Sequence, residues 1–556
     1  MVPLANRLLQ SRDRRFQEDQ MHHVYQLTIG TLLHTGLRTA PAQRITCADQ
    51  VEMTYAEFGQ RVGRLGSALT RLGLGQGAVV AVMDWDSHRY LECFFAIPML
   101  GATLHTINVR LSPEQVLYTI NHAQDDAILV HEDFLPLLLP LLPRIIRPMR
   151  LIVLADRTVA LPEGFAGEYE ALLAGGDAAH AFPAFPEATR ATLFYTTGTT
   201  GDPKGVTYSH RQLVLHALGV TACFGPVPGR GGVKLDDVYM PLTPLFHVHG
   251  WGFPLIATML GMRQVYPGRY DPARILGMIA KHGVTFSHCV PSILAMVLQA
   301  PGTEAVDLSR WKVIIGGSVL PEGLARAAMA RGIDIHAGYG MSETCPVMTI
   351  SDMAATYGAM GDTTSVRIAT GKPIPLMQMR IVAPDMTDVP HDGVSTGEVV
   401  ARSPWLTDGY LHDEAGTAAL WAGGWLHTGD VGTMAADGTL RITDRLKDII
   451  KSGGEWISSL ELESIVSAVP GVAEAAAVGM PDPRWGERPV VLVVAKPGAE
   501  VEGPAHAAVA AAIAAGRLSK WAAPERVLTV TVIPKTSVGK IDKKAIRAAL
   551  AAGHVA

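Results

Sequence analysis

The eleven residues Tyr195 to Gly205, YTTGTTGDPKG, carry four threonines, three glycines, one proline and one lysine directly after the apolar run Ala191-Thr192-Leu193-Phe194. Glycines let a loop turn its backbone N–H groups inward, and four short hydroxyls with one ammonium complete a cradle for the phosphates of a nucleotide. The loop is not a Walker A motif: Pro203 stands five residues beyond Gly198, and Lys204 is followed by Gly205 rather than Ser or Thr. Taken alone, such a segment also reads as an ordinary surface turn.

Its surroundings read as an α/β protein. Residues 79–83, 127–130 and 151–154 are short apolar runs of the kind that form buried strands, and 57–72 and 113–123 space their apolar residues by three and four, as helices do. That alternation predicts parallel sheets covered by helices. Beyond Pro390 the texture changes to PHDGVSTGEVVARSP and DGTLRITDR, where Asp392-Gly393 and Asp437-Gly438 signal hairpins, so a smaller β-rich subdomain is expected over about 375–444. The charged stretch Asp444-Arg445-Leu446-Lys447-Asp448 suits a domain junction, dividing 1–444 from 445–556. The latter has helix, strand and helix patterns, including an alanine-rich helix at 506–518.

At 556 residues, 48% hydrophobic and 18% charged, the chain is long enough for two globular domains. A net charge of −5 gives no basic field for nucleic acid or anionic lipid. The five cysteines, Cys47, Cys93, Cys223, Cys289 and Cys345, are scattered without C-x-x-C spacing, which argues for reduced thiols rather than disulfides or zinc. The N-terminus lacks an apolar core of a secretion signal. The most apolar stretch, 134–146, is broken by Pro136, Pro140 and Pro143 and falls short of the about 20 residues a bilayer needs. A cytoplasmic protein without integral membrane association is expected.

Six further segments follow the glycine-rich loop or flank it in a fixed order: PLFHVHGWG (244–252), GGSVLP (316–321), GYGMSET (338–344), WLHTGD (425–430), DRLKDIIKSGGEWIS (444–458) and PKTSVGKIDKK (534–544). With TTGTTGDPKG they resemble the adenylate-forming superfamily of acyl-CoA synthetases, luciferases and peptide-synthetase adenylation domains. Thr54-Tyr55 and the helical pattern after it extend the likeness toward the N-terminus. The resemblance implies a large N-terminal domain of helix-covered sheets with a β-rich subdomain, and a small mobile α+β C-terminal cap.

Residue roles follow from the same resemblance. Thr196, Thr197, Gly198, Thr199, Thr200, Gly201 and Lys204 would hold the β- and γ-phosphates of ATP. Glu343 would bind magnesium, with Thr196 beside the metal, since a hard cation bridging phosphates takes carboxylate and hydroxyl oxygens. Thr344 would hydrogen-bond the α-phosphate. Gly316, Gly317, Gly338, Tyr339, Gly340 and Met341 would enclose adenine. Asp430 would accept from the paired ribose hydroxyls, with Arg445 a second ribose or phosphate contact. Lys540 would bridge the acyl carboxylate and the α-phosphate, its positive charge meeting the charge that accumulates on a pentavalent phosphorus. Lys447 would be the hinge of the cap. Gly453, Gly454, Glu455 and Trp456 would line the CoA tunnel. Lys535, Lys543 and Lys544 read as surface charges.

The implied activity couples a carboxylic acid to AMP, releases pyrophosphate, and passes the acyl group to CoA, so ATP, magnesium and coenzyme A are the implied cofactors. The acyl pocket would be lined by Val220, Thr221, His247, Trp251, Gly316, Tyr339 and Met341, with His247 and Trp251 one turn apart if their segment is helical. His247 would separate the carboxylate site from the thiol tunnel, and His249 receives no role. This set holds no carboxylate or permanent cation, which disfavours acids with a second charge. The wording of HVHGWG and HAGYGMSET looks most like bacterial medium-chain fatty acid and methylmercaptopropionate ligases. A short- or medium-chain fatty acid is the expected substrate, with methylmercaptopropionate or another apolar or aromatic acid as alternatives. A homodimer stays open. A degenerate binder of acyl-adenylates is disfavoured, because Glu343 and Lys540 are both present.

Overall fold

A computed structural model describes residues 25–157, 159–196, 202–227, 231–358, 361–453, 455–535 and 541–553. Two large sheets dominate. The first has seven strands in the order Gly167–Glu168, Arg150–Leu154, Ala127–His131, Val79–Met83, Thr103–Thr106, Arg190–Tyr195 and Gly205–Ser209. All pairs are parallel except the last, where Arg190–Tyr195 and Gly205–Ser209 run antiparallel on either side of the glycine-rich loop. The second has nine strands, with a parallel centre from Asp334–Gly340 through Lys312–Ile315, Phe286–Cys289, Val238–Pro241 and Arg263–Tyr266 to Arg44–Cys47, and antiparallel edges.

Side-chain alternation decides which layer each residue joins. In the strand Val79–Met83, Val80 and Val82 enter the apolar cluster between the two sheets, while Ala81 and Met83 enter a second cluster on the far face. Both faces are covered, so the run reads as continuously apolar rather than alternating. The helix His88–Met99 lies in the inter-sheet layer with all twelve residues buried. Its Glu92 is tolerated there because Arg61 Nε donates to it at 2.6 Å and Tyr169 Oη at 2.6 Å. On the outer face of the second sheet, Val265, Val313 and Ile335 form a third cluster with the helices Pro272–His282 and Glu322–Ala330.

The strands Gln378–Val382, Gly397–Arg402, Leu426–Met434 and Leu440–Arg445 make an antiparallel four-stranded sheet, as the hairpin signals indicate; Gly438 closes one turn at φ +83. The charged 444–448 stretch begins inside this sheet. Arg445 pairs opposite Asp430, and Asp444 is buried because its carboxylate accepts from the backbone N–H and hydroxyl of Ser459. Beyond it the hairpin Val472–Asp482 and Gly486–Ala495 carries apolar clusters on both faces, and those clusters contain only residues from 450 onward. The alanine-rich helix spans Glu502–Ala514, four residues earlier than its expected span. Pro504 lies in its first turn, where no intrahelical donor is needed, and Gly516 at φ +70 follows its end. All five cysteines are free thiols. Among the described residues no helix is long and apolar enough to cross a membrane.

Candidate active site

Three of the sequence-predicted segments lie at the carboxyl ends of strands from the two large sheets, where helix-covered parallel sheets place their ligand crevices. Arg190–Tyr195 delivers Thr196, Lys312–Ile315 delivers Gly316 and Gly317, and Asp334–Gly340 delivers the GYGMSET segment. Thr196 closes the base of the glycine-rich loop: its N–H donates to Lys204 O at 2.9 Å, and Lys204 N–H donates to its hydroxyl at 3.2 Å. Thr197, Gly198, Thr199, Thr200 and Gly201 lie outside the described residues, as do Gly454 and Lys540.

Glu343 is buried, and burial raises its carboxyl above the ordinary range while the Tyr410 hydroxyl, donating at 2.7 Å, pulls it back. The Lys204 ammonium lies 4.3 Å above the Tyr410 ring and 3.4 Å from the Asp413 carboxylate. Neither Tyr410 nor Asp413 stands out in the sequence as a site residue. Thr344 departs from its expected role. It is fully buried, its hydroxyl accepts from Met341 N–H at 3.0 Å and donates to the Pro346 carbonyl, so its hydrogen-bonding capacity closes the turn that presents Glu343. Gly340 must be glycine, because a Cβ there would sit 1.7 Å from Pro346 O.

A second polar group joins the second sheet to the four-stranded sheet. Tyr339 Oη donates to Asp430 Oδ2 at 2.7 Å, and Arg445 Nε lies 3.4 Å from Asp430 Oδ1. Asp430 is nearly buried, whereas Arg445 is about half exposed. The pair of carboxylate and guanidinium on adjacent strands is a donor and acceptor set that fits vicinal hydroxyls and a phosphate.

Several of the residues expected at the acid pocket share one apolar layer. Val220 and Trp251 belong to one apolar cluster against which Tyr339 and Met341 pack, and a Cβ on Gly316 would lie 3.0 Å from the Trp251 indole and 3.1 Å from Gly338 O. Thr221 is half-buried and donates to Ala217 O at 2.7 Å along the helix His210–Phe224. The segment 247–251 is not the α-helical turn considered from sequence. His247 is extended at φ −96, and Val248, His249, Gly250, Trp251 and Gly252 all have positive φ. Such a run is costly for a branched or bulky residue and is kept where surrounding contacts over-determine it. Here Trp251 packs on the His288 ring at 5.3 Å, and His249 is enclosed by Phe94, Phe194 and Tyr208. Among the described residues neither ring nitrogen of His249 has a hydrogen-bond partner, and burial, with His216 adding to it, lowers its pKa to about 3, which favours the neutral imidazole.

In the C-terminal unit, Gly453 has φ +60 and faces the Trp521 ring, which would be 3.0 Å from an added Cβ, while Glu455 and Trp456 are exposed. Lys447 is exposed, and Arg547 donates to its carbonyl at 3.3 Å and to Asp448 at 2.9 Å. Lys535 pairs with Glu474 at 3.0 Å and stays partly exposed. Lys543 is not a surface charge: it is buried, 2.8 Å from Glu463 and bonded to Ser459 Oγ, because its helix packs against the hairpin.

Comparison with known proteins agrees with this geometry. The model of the AMP-binding enzyme family matches residues 34–411, and that of the AMP-binding enzyme C-terminal domain matches 461–540. A long-chain-fatty-acid–CoA ligase of Thermus thermophilus is 37% identical, covering 92% of both chains. A 3-methylmercaptopropionyl-CoA ligase of Ruegeria pomeroyi is 38% identical over 89% of this chain and 91% of its own. Among solved structures, an anthranilate CoA ligase in complex with anthranoyl-AMP superimposes with a TM-score of 0.82 at 25% identity, covering 95% of this chain and 98% of the other.

Proposed function

We propose that this chain, which belongs to the AMP-binding enzyme family and is an AMP-forming acyl-CoA synthetase, activates an apolar monocarboxylic acid of short to medium length. The enzyme couples its acid to AMP with release of pyrophosphate, then transfers the acyl group to CoA, using ATP, magnesium and coenzyme A. The observation carrying the choice of acid is the close approach of Trp251 to Gly316 in an apolar layer that also holds Val220 and against which Tyr339 and Met341 pack: none of these bears a charge, and a second carboxylate or an ammonium placed among them would be buried unpaired.

A carboxylate is a poor electrophile, and attack by its oxygen on the α-phosphorus breaks the bond to pyrophosphate and converts it to a mixed anhydride with a good leaving group. The protein's task is to hold and neutralise charge. We assign Lys204 and the backbone around Thr196 to the β- and γ-phosphates, and Asp430 with Arg445 to the ribose. Glu343 would hold magnesium, which neutralises charge on the departing pyrophosphate. Tyr339 with Gly316 and Gly317 would frame adenine. Lys540 would meet the negative charge gathering at the α-phosphorus, and His247 would stand between the acid carboxylate and the incoming thiol. The sulfur then attacks the acyl carbon and AMP leaves.

The unit from 445 onward is read as a cap turning about Lys447, in line with the separation of its apolar clusters from those of the larger unit. Gly453, Gly454, Glu455 and Trp456 would then pass beside the pantetheine arm. A cytoplasmic location fits the free thiols, and a homodimer is compatible with a site drawn from one chain.

The test is pyrophosphate release and acyl-CoA formation across straight-chain acids from acetate to palmitate, with 3-methylthiopropionate, benzoate, malonate and glycine, each with and without CoA. Highest kcat/KM among the short and medium straight-chain acids, with 3-methylthiopropionate close behind, is the expected result. Preference for palmitate, malonate or glycine would overturn the assignment of the acid.

A further inference from the structure

The segment Thr407 to Asp413 has no place in the chemistry so far, yet it touches both halves of the nucleotide site. Thr407 N–H donates to Glu343 O at 3.0 Å, and Leu411 N–H donates to Gly205 O at 2.8 Å, just past the phosphate loop. Between them Tyr410 sends its hydroxyl to Glu343 Oε1 at 2.7 Å and lays its ring under the Lys204 ammonium at 4.3 Å. Its own N–H is fixed by Thr417 Oγ1 at 2.9 Å. Asp413 caps the helix Glu414–Leu420 through Gly416 N–H at 2.8 Å, and its carboxylate lies 3.4 Å from the Lys204 ammonium. Burial, then the adjacent carboxylate, push the Tyr410 phenol upward, which keeps it a donor.

We propose that Tyr410 is a positioning residue for the metal–nucleotide complex, its hydroxyl orienting the Glu343 carboxylate toward the cation and its ring setting the place of the Lys204 ammonium. One side chain thereby sets the spacing between the two groups that meet the same phosphates. A hydrogen bond to one carboxylate oxygen fixes the rotation of the group and leaves the other oxygen for a cation, and the aromatic face attracts the ammonium that Asp413 also pairs at 3.4 Å. The proposal rests on Glu343 as the magnesium ligand and Lys204 as a phosphate ligand.

The test measures binding of α,β-methylene-ATP by calorimetry, with magnesium and with chelator, to the full-length wild type and to the Tyr410→Phe, Tyr410→Leu and Glu343→Gln variants. Loss of a hydrogen bond to a charged group should weaken the magnesium-loaded complex of Tyr410→Phe about tenfold and leave the metal-free complex unchanged. Tyr410→Leu should weaken both, since it also removes the support of Lys204. Wild-type magnesium dependence in Tyr410→Phe, equal loss of both complexes in that variant, or a Tyr410→Leu variant indistinguishable from it would each overturn the proposal. If Glu343→Gln keeps full magnesium dependence, the metal assignment falls and this proposal with it. If it loses that dependence while Tyr410→Phe does not, the role of Tyr410 alone is refuted.

Discussion

Trp251 stands so close to Gly316 that a single added methyl would contact its indole at 3.0 Å. The left-handed turn 248–252 therefore closes on the residue after the strand Lys312–Ile315, and a larger residue at 316 would press on both the indole and the Gly338 carbonyl. If this contact forms the wall of the acid pocket, Gly316→Val shortens the range of acids. The longest good substrate should lose about fourfold in kcat/KM for each methylene displaced, from the burial energy of one CH₂, relative to acetate in the same variant, and because Gly316 also frames adenine, KM for ATP should rise equally with every acid. A chain-length profile identical to wild type would remove Gly316 from the pocket.

Asp430 holds two partners, Tyr339 and Arg445, on neighbouring sheets. Asp430→Asn keeps the shape and removes the charge, and KM for ATP should rise about tenfold or more, in keeping with loss of hydrogen bonds to a charged acceptor. KM for the acid should stay near its wild-type value. A rise in both constants together would point to a collapse of the strand pair instead.

Lys540→Ala should remove adenylation and spare thioester formation from supplied acyl-adenylate, because the ammonium is needed only while charge gathers at phosphorus. The expected loss in the first half-reaction is about 10² to 10³ in rate. Comparable damage to the second half-reaction contradicts this division of labour.

Lys447 follows the last strand of the four-stranded sheet, and its carbonyl is held by Arg547. Proline at 447 fixes φ near about −65° and would hold the hinge in one setting. ATP–pyrophosphate exchange should survive in Lys447→Pro while acyl-CoA formation collapses. Wild-type acyl-CoA output from this variant would place the hinge elsewhere or remove the need for rotation.

Asp86 supplies the pH prediction. It accepts from the N–H of Leu245, two residues before His247, at 2.8 Å and from Tyr270 Oη at 2.6 Å, and burial raises its pKa to about 7 despite Tyr270, Leu245 and the nearby Arg110, with Asp84 adding to the rise. An unfolded aspartate titrates near about 3.9, so the native state binds the extra proton between the two values. Its stabilising contribution is full below the lower value and is lost as pH rises through about 7. The urea midpoint of wild type should therefore fall relative to that of Asp86→Asn between mildly acidic and mildly alkaline buffer. Parallel profiles for the two proteins would show that Asp86 is ionised throughout.

Much of this molecule is legible in short stretches of its sequence. The strand Val79–Met83 and the helix Pro113–Ala123 match their expected spans, since a buried run and a 3.6-residue period are local patterns, and the latter is marked by the capping box of Ser112 and Gln115. The glycine-rich loop and the hairpin glycines declare themselves the same way, through residue types that a loop or turn demands, whereas Asp430 and Glu343 are singled out by their place in the ordered family motifs. What no window of sequence contains is the meeting of distant parts. Tyr410 reaches Glu343 across 67 residues, and Lys543 reaches Ser459 across 84. The inward turn of the Thr344 hydroxyl and the left-handed course of 248–252 likewise depend on Pro346 and on the rings of His288, Phe94 and Tyr208 closing around them. Local patterns marked the elements, and the order of the family motifs named the residues expected to serve a nucleotide and an acid. The packing of two sheets and a third antiparallel one against them decided which of those residues touch, because burial energies and hydrogen-bond partners exist only once the layers are in contact.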